Sequence, residues 1–413
     1  MVAALLAIGI ASGLAAVSAH ARQHHGCASP SVSAPRDPAN PLALPVPPSR
    51  GDPLQGAHFF VDGPKHGQAA GEVARLLGFD PKRFSVTDSW VRFEARHTAA
   101  INRNPKARQL AKIADQEETQ NVSLYAEGGG PGAIFGQTHK ILCTNMSADP
   151  VREAVPVFTT YFIYPDGQAC PSLGQLQRWQ GTFHRYIDEM ARAIGRKRAV
   201  ILEDIDSIVL SSCVHGAAAA IWLGDLRYES QQFSKLPHAV TYAEAGYSDA
   251  HSAWWTARRL WQAGVWQVRG FYTNDTHFVW SIDEIRWASR IARYLRGLSH
   301  GSYHAHFVIN TAQNGHGPKR NPHPFTQGNE NLCNPSGRGL GRLPTGDVHP
   351  TLDGRTFRSL DAFLWTGVPG RSHNSNCPNG PWKPGGVFDP RFALELAQHA
   401  NQRLGPGYPS LPY

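Results

Sequence analysis

The stretch Arg198–Cys213, RAVILEDIDSIVLSSC, opens as an aliphatic run and then carries Glu203, Asp204 and Asp206. Residues 199–203 have the length and β-branched content of a strand buried on both faces. Isolated carboxylates are costly to take out of water, so a strand that ends in three of them must emerge into a wet cleft.

Six further runs have the same character: 122–126, 156–163, 239–244, 267–272, 305–310 and 361–365. Longer segments between them, notably 174–195, 250–263 and 281–298, repeat apolar residues at three and four and read as amphipathic helices. A parallel strand must return through a crossover, so this alternation predicts an α/β fold, a TIM-like parallel β/α barrel of about seven strands in a single domain. An open doubly wound sheet is the structural alternative. No GxGxxG follows the first strand, and GGGPG at 128–132 has Pro131 and the wrong spacing for a dinucleotide loop.

Outside the barrel region the chain reads differently. Residues 1–21 are uncharged and apolar and close on Ala19-His20-Ala21, the pattern of a secretory signal peptide. Residues 22–52 are rich in Pro, Ser and Ala without any period, as in a linker, which leaves residues 53–413 as a single folded domain. A secreted product without stable membrane association is expected, because no later apolar run approaches the ~20 residues of a span. Six cysteines and no CxxC favour disulfides over zinc, although spacing alone does not give their pairing. The formal charge of +8 arises from 31 Arg and 9 Lys without a basic tract, which argues for a solvated surface and against nucleic-acid binding.

At the expected strand ends the residue types are polar: Glu203, Asp204 and Asp206, then Glu244, then Asn274 and Asp275, then Asn310, Gln313 and Asn314. Carboxylates and amides with tryptophans such as Trp254, Trp255 and Trp365 suit a carbohydrate, whose hydroxyls need polar partners and whose C–H faces need aromatic ones. Each tryptophan also reads as a core residue, and Asp206-Ser207 also reads as a plain helix N-cap. His304 and His306 share a strand face but lack a third ligand, so neither a metal nor a cofactor is expected.

The blocks HFVINTAQNG (306–315), LCNPSGRGLG (332–341), DAFLWTGVPG (361–370) and GFYTNDTHF (270–278) resemble those of glycoside hydrolase family 6, the inverting cellulases. RYIDEMARAIG before the acidic strand and VFDPRFALELAQHAN near the end resemble them too. The similarity runs in order over roughly residues 55–405. It implies a distorted parallel barrel and hydrolysis of a β-1,4-glucan, cellulose-like or mixed-linkage, with inversion. The general acid of the family's E-P-D-S block falls on Asp206. The resemblance also implies the disulfides Cys170–Cys213 and Cys333–Cys377, with no counterpart for Cys27 and Cys143. The expected partner is the polysaccharide alone, bound by a monomer.

The sequence departs from the family at charged positions. The last Asp of Y-D-L-P-D-R-D-C, which assists the acid, falls on Gln168 or Ala169. In K-P-P-G-E-x-D-G the Lys becomes Gly367 and the Asp becomes His373, the expected position of the base. Leu332 replaces the Trp of W-C-N, while Asn310 and Gln313 replace the Asp and Arg of D-T-S-R-N-G. Glu244 and Asp249 compete for the Asp of D-A-G-H. Glu244, Asp249, Asn274, Asn310, Trp254 and Trp365 are the expected sugar contacts. A carbohydrate-binding protein on the same barrel without turnover is the alternative function.

Overall fold

The computed structural model describes residues 52–123, 129–144, 146, 154–167, 169–318, 334–348, 357–372, 382–383 and 386–409. Seven strands form one sheet: β1 Gln120–Ser123, β2 Val157–Tyr161, β3 Ala199–Leu202, β4 Ala239–Glu244, β5 Gly270–Thr273, β6 His306–Asn310 and β7 Leu360–Leu364. They lie in chain order, and every neighbouring pair is parallel. The helices are α1 Gln68–Leu76, α2 Trp90–Arg103, α3 Pro105–Ala114, α4 Gly130–Cys143, α5 Leu173–Ile194, α6 Ser207–Leu210, α7 Gly216–Phe233, α8 Ala253–Gln262, α9 Ser281–Leu298 and α10 Pro390–Gln398.

Strand period explains how the sheet curls. Along β3, Val200 and Leu202 join Val157, Val240, Tyr242, Tyr272, Val308, Ala362 and Leu364 in one apolar cluster. Ala199 and Ile201 belong to another, with Phe158, Phe271, Phe307, Phe363 and the helices. Both faces are therefore apolar, and alternate side chains fill the barrel interior and the helix layer. A third cluster packs α1, α3 and α10 around Trp365 and Leu340.

All seven expected strands form, with ends shifted by a few residues. The expected helix 174–195 is α5, fixed by a capping box between Ser172 and Gln175 and stopped at Gly195, whose φ is 55°. The helix expected from 250 begins instead at Ala253, because the Ser252 side chain accepts the Trp255 N–H. No ladder joins β1 to β7 among the described residues. Across that opening the Trp365 N–H donates to Glu117 Oε1 at 3.2 Å, and the Thr119 hydroxyl donates to the Trp365 carbonyl. Among the described residues no helix is long and apolar enough to cross a membrane.

Candidate active site

The three carboxylates after β3 go to three places. Glu203 is buried and accepts the Ser230 hydroxyl of α7 at 2.8 Å, while its carbonyl accepts the Tyr272 hydroxyl at 2.9 Å. Asp204 is buried and accepts the N–H groups of Phe162 and Ile163, which ties the exit of β2 to β3. Glu229 of α7, held by the Thr160 hydroxyl at 2.8 Å, completes a buried acidic cluster. Burial, then repulsion from Asp204 and Glu203, pushes Glu229 far above the ordinary range, so the cluster keeps protons at neutral pH.

Asp206 differs from both. It is half-buried and sits in the left-handed region at φ 62°, where a non-glycine residue is strained. It occupies the N-cap position of α6, yet its side chain caps nothing. Glu244, at the end of β4, supplies that cap: its Oε2 accepts the Ile208 N–H at 2.6 Å. The Asp206 carboxyl is thereby released into the site, where the Thr276 hydroxyl donates to it at 3.3 Å. Burial raises Asp206 above the ordinary carboxylate range, against the pull of His277 and the Thr276 hydroxyl. Gly246 lets the β4 loop pass this point, because a Cβ there would lie 2.2 Å from Val209 Cγ2.

The other expected residues form the floor and walls. Asn274, at φ 66°, donates to the carbonyls of Val279 and Asn310 and accepts the Val279 N–H. Asn310 donates to the carbonyls of Asn274 and Asp275 and accepts the N–H groups of Ala312 and Thr366. Both amides are buried and spent on backbone, so they shape the loop after β5 instead of offering hydrogen bonds to a sugar. Asp249 is buried and hydrogen-bonds His277 at 2.9 Å, and the His277 ring stacks on Tyr247 at 3.3 Å between centroids. Glu244 and Asp249, expected to compete for one role, thus do two different jobs.

One tryptophan expectation is corrected. Trp365 is 0% exposed, with its indole N–H on the Arg342 carbonyl at 3.0 Å, so it is core and has no free face. Trp254 is 46% exposed on α8 and packs edge-to-face on Tyr294 of α9 at 5.2 Å. The bond Cys170–Cys213 is present and ties the end of the β2 loop to the residues after α6. Cys143 is disulfide-bonded as well. Cys333, Cys377, His373 and Gln168 lie outside the described residues.

One residue named at a strand end in the sequence was given no role there. Asp275 follows β5, is buried, and accepts the Thr366 hydroxyl at 2.6 Å while its Oδ2 has no hydrogen-bond partner among the described residues. Burial and the nearby Asp206 charge push it up to about 7. Its signal was present: it is a carboxylate two residues past the end of β5, beside Thr276. Asp206, Glu244 and Asp275 thus gather three acids from the ends of β3, β4 and β5, an arrangement suited to proton transfer.

The sequence profile of Glycosyl hydrolases family 6 matches residues 87–380. Endoglucanase 1 of Streptomyces sp. (strain KSM-9) is 28% identical over 307 residues, covering 72% of this chain and 76% of that relative. Endoglucanase A of Cellulomonas fimi is 29% identical over 245 residues, 59% of this chain and 47% of that relative. Among solved structures, the endoglucanase Cel6 of Mycobacterium tuberculosis, bound to a thio-linked cellobioside, superposes with a TM-score of 0.63 at 25% identity, over 84% of this chain and 99% of that one. Endoglucanase CEL6B of Humicola insolens, at 15% identity and a TM-score of 0.62, shares the fold. With the family profile covering most of the barrel and Asp206 standing at the strand end where that family's acid was expected, the chain belongs to glycosyl hydrolases family 6.

Proposed function

We propose that the protein is a secreted β-1,4-glucanase that hydrolyses its polysaccharide with inversion, using Asp206 as general acid. The observation that carries this is the freed Asp206 carboxyl: strained backbone, no capping duty, one weak hydroxyl partner and a raised proton affinity. A raised proton affinity favours the protonated form that a general acid needs. The acid gives its proton to the glycosidic oxygen as the C1–O bond breaks, while water attacks C1 from the opposite face and loses a proton to a base.

The names of the relatives support the substrate class, since both curated relatives are endoglucanases. For the base we keep the position expected from sequence, His373, whose imidazole accepts a proton only when neutral. Glu244 and Asp249 are weaker choices, because the first holds the Ile208 N–H and the second holds His277. Secretion, with residues 1–21 as a signal peptide and 22–52 as a linker, and action as a monomer belong to the same proposal. The test is hydrolysis of cello-oligosaccharides followed by NMR. Early appearance of the α-anomer supports inversion, whereas an initial β-anomer, or binding without release of reducing ends, overturns the reading.

A further inference from the structure

A polar cavity lies beside the opening between β1 and β7. It has a volume of about 490 Å3 and lies between the start of α1, the first residues of β1, the side of α4 and the turn Val368–Arg371 after β7. This size falls in the range of small-ligand sites. Among the described residues no Trp, Tyr or Phe lines it, so these walls offer no platform for the flat face of an unsubstituted glucose unit.

Its walls carry buried polar atoms that have no hydrogen-bond partner among the described residues. They are Asp62 Oδ1, His66 Nε2, Gln68 Oε1, Gln137 Oε1 and Arg371 Nε. Asp62 is 5% exposed and is fixed on its other oxygen by the Gln120 amide at 2.7 Å. Native proteins rarely leave so many buried polar groups unmet in one place, and a ligand is the economical reason.

Lys140 and Arg371 are the cations that line the cavity, and Asp62 and Glu118 its acids. Both acids face Arg371, but Glu118 is already used: its oxygens accept the Gln68 and Ala69 N–H groups at the start of α1, at 2.8 to 3.2 Å. An N-terminal helix end offsets such a charge. The guanidinium is a planar fork, the shape that pairs with a carboxylate through two parallel bonds.

We infer that this cavity binds a carboxylate-bearing sugar unit, a uronate, with Arg371 as the carboxylate fork and Asp62, Gln68 and Gln137 taking the ring hydroxyls. The polysaccharide that the enzyme accepts is then an acidic or acid-decorated β-glucan, a refinement that rests on the glucanase reading above. Asp62 fits this role. Burial and then Glu118 push it up to about 7, so below neutrality it carries a proton and does not repel the incoming anion. Lys65 and Lys140 lie near His66, whose burial lowers its proton affinity.

The test is calorimetric titration of the full chain with sodium glucuronate, glucose and sodium acetate, at pH 6 and pH 8. Glucuronate should bind at least tenfold more tightly than either control, and more tightly at pH 6. Arg371→Gln should weaken it tenfold or more. Lys140→Gln, on an exposed side chain that cannot disturb folding, should weaken it less and in a salt-dependent way. Glucose binding as tightly as glucuronate overturns the acidic specificity, acetate binding as tightly overturns the sugar site, and no binding, or an Arg371→Gln variant with a native melting temperature and unchanged affinity, overturns the site altogether. Hydrolysis of neutral cello-oligosaccharides, measured separately, judges the glucanase reading on its own.

Discussion

Glu244 caps the helix that Asp206 begins: the Ile208 N–H meets Glu244 Oε2 at 2.6 Å, and the residue in the N-cap position is left free for chemistry. Burial, then the Asp206 charge, holds Glu244 well above the carboxylate range, which favours its neutral form as the cap of α6. Glu244→Gln should therefore cost less than about 1 kcal/mol, whereas Glu244→Ala, which leaves the N–H buried and unpaired, should cost about 1–3 kcal/mol. Urea titrations at pH 7 distinguish the two, and equal losses would show that charge, not the hydrogen bond, matters.

Asp206→Asn preserves size but removes the transferable proton. Turnover on cello-oligosaccharides should fall about 10²- to 10⁴-fold with an unchanged melting temperature. A variant that retained a tenth or more of the activity would remove Asp206 from the acid role.

Thr276→Val deletes the hydroxyl that favours ionised Asp206. Without it the acid holds its proton to higher pH, so the alkaline limb of the rate profile should move upward by about one pH unit, given that one unit corresponds to about 1.4 kcal/mol. A limb that stayed in place, or moved down, would mean that another group sets it.

Glu117, which receives the Trp365 N–H across the β1–β7 opening, is pushed by burial from 4.5 to about 8. The native state thus binds a proton that the unfolded chain releases above about 4.5. Its contribution to stability is full below that value and is lost as pH rises through about 8. The urea midpoint should decline between pH 5 and 8, and Glu117→Gln should flatten the decline. An equally steep decline in the variant would assign it to other buried acids such as Glu284, also near 8.

The Cys170–Cys213 bond, with a sequence separation of 43, should stabilise by about 4 kcal/mol in the loop-entropy model. Replacing both cysteines by Ser should lower the melting temperature by several degrees. A reduced, unmodified protein that melted like the oxidised one would contradict this.

Much of the fold was legible in the order of residues. Short β-branched aliphatic runs such as AVIL in β3 read as strands buried on both faces, and the intervening periodic segments supply the parallel crossovers. The family blocks marked Asp206, because the proposed donor lies in a local sequence block at a strand end. Side-chain partners across the barrel were not legible. Asn274 and Asn310 looked like sugar contacts until the structure showed them spent on each other's backbone, and Trp365 looked like a platform until three elements closed over it. The capping of α6 by a residue 36 positions away, and the meeting of Asp62 with Arg371 at one cavity, depend on which strand ends become neighbours. Period and composition are local and therefore written in the sequence, whereas hydrogen-bond satisfaction and electrostatic environment are set by distances that exist only after the chain has closed into a barrel.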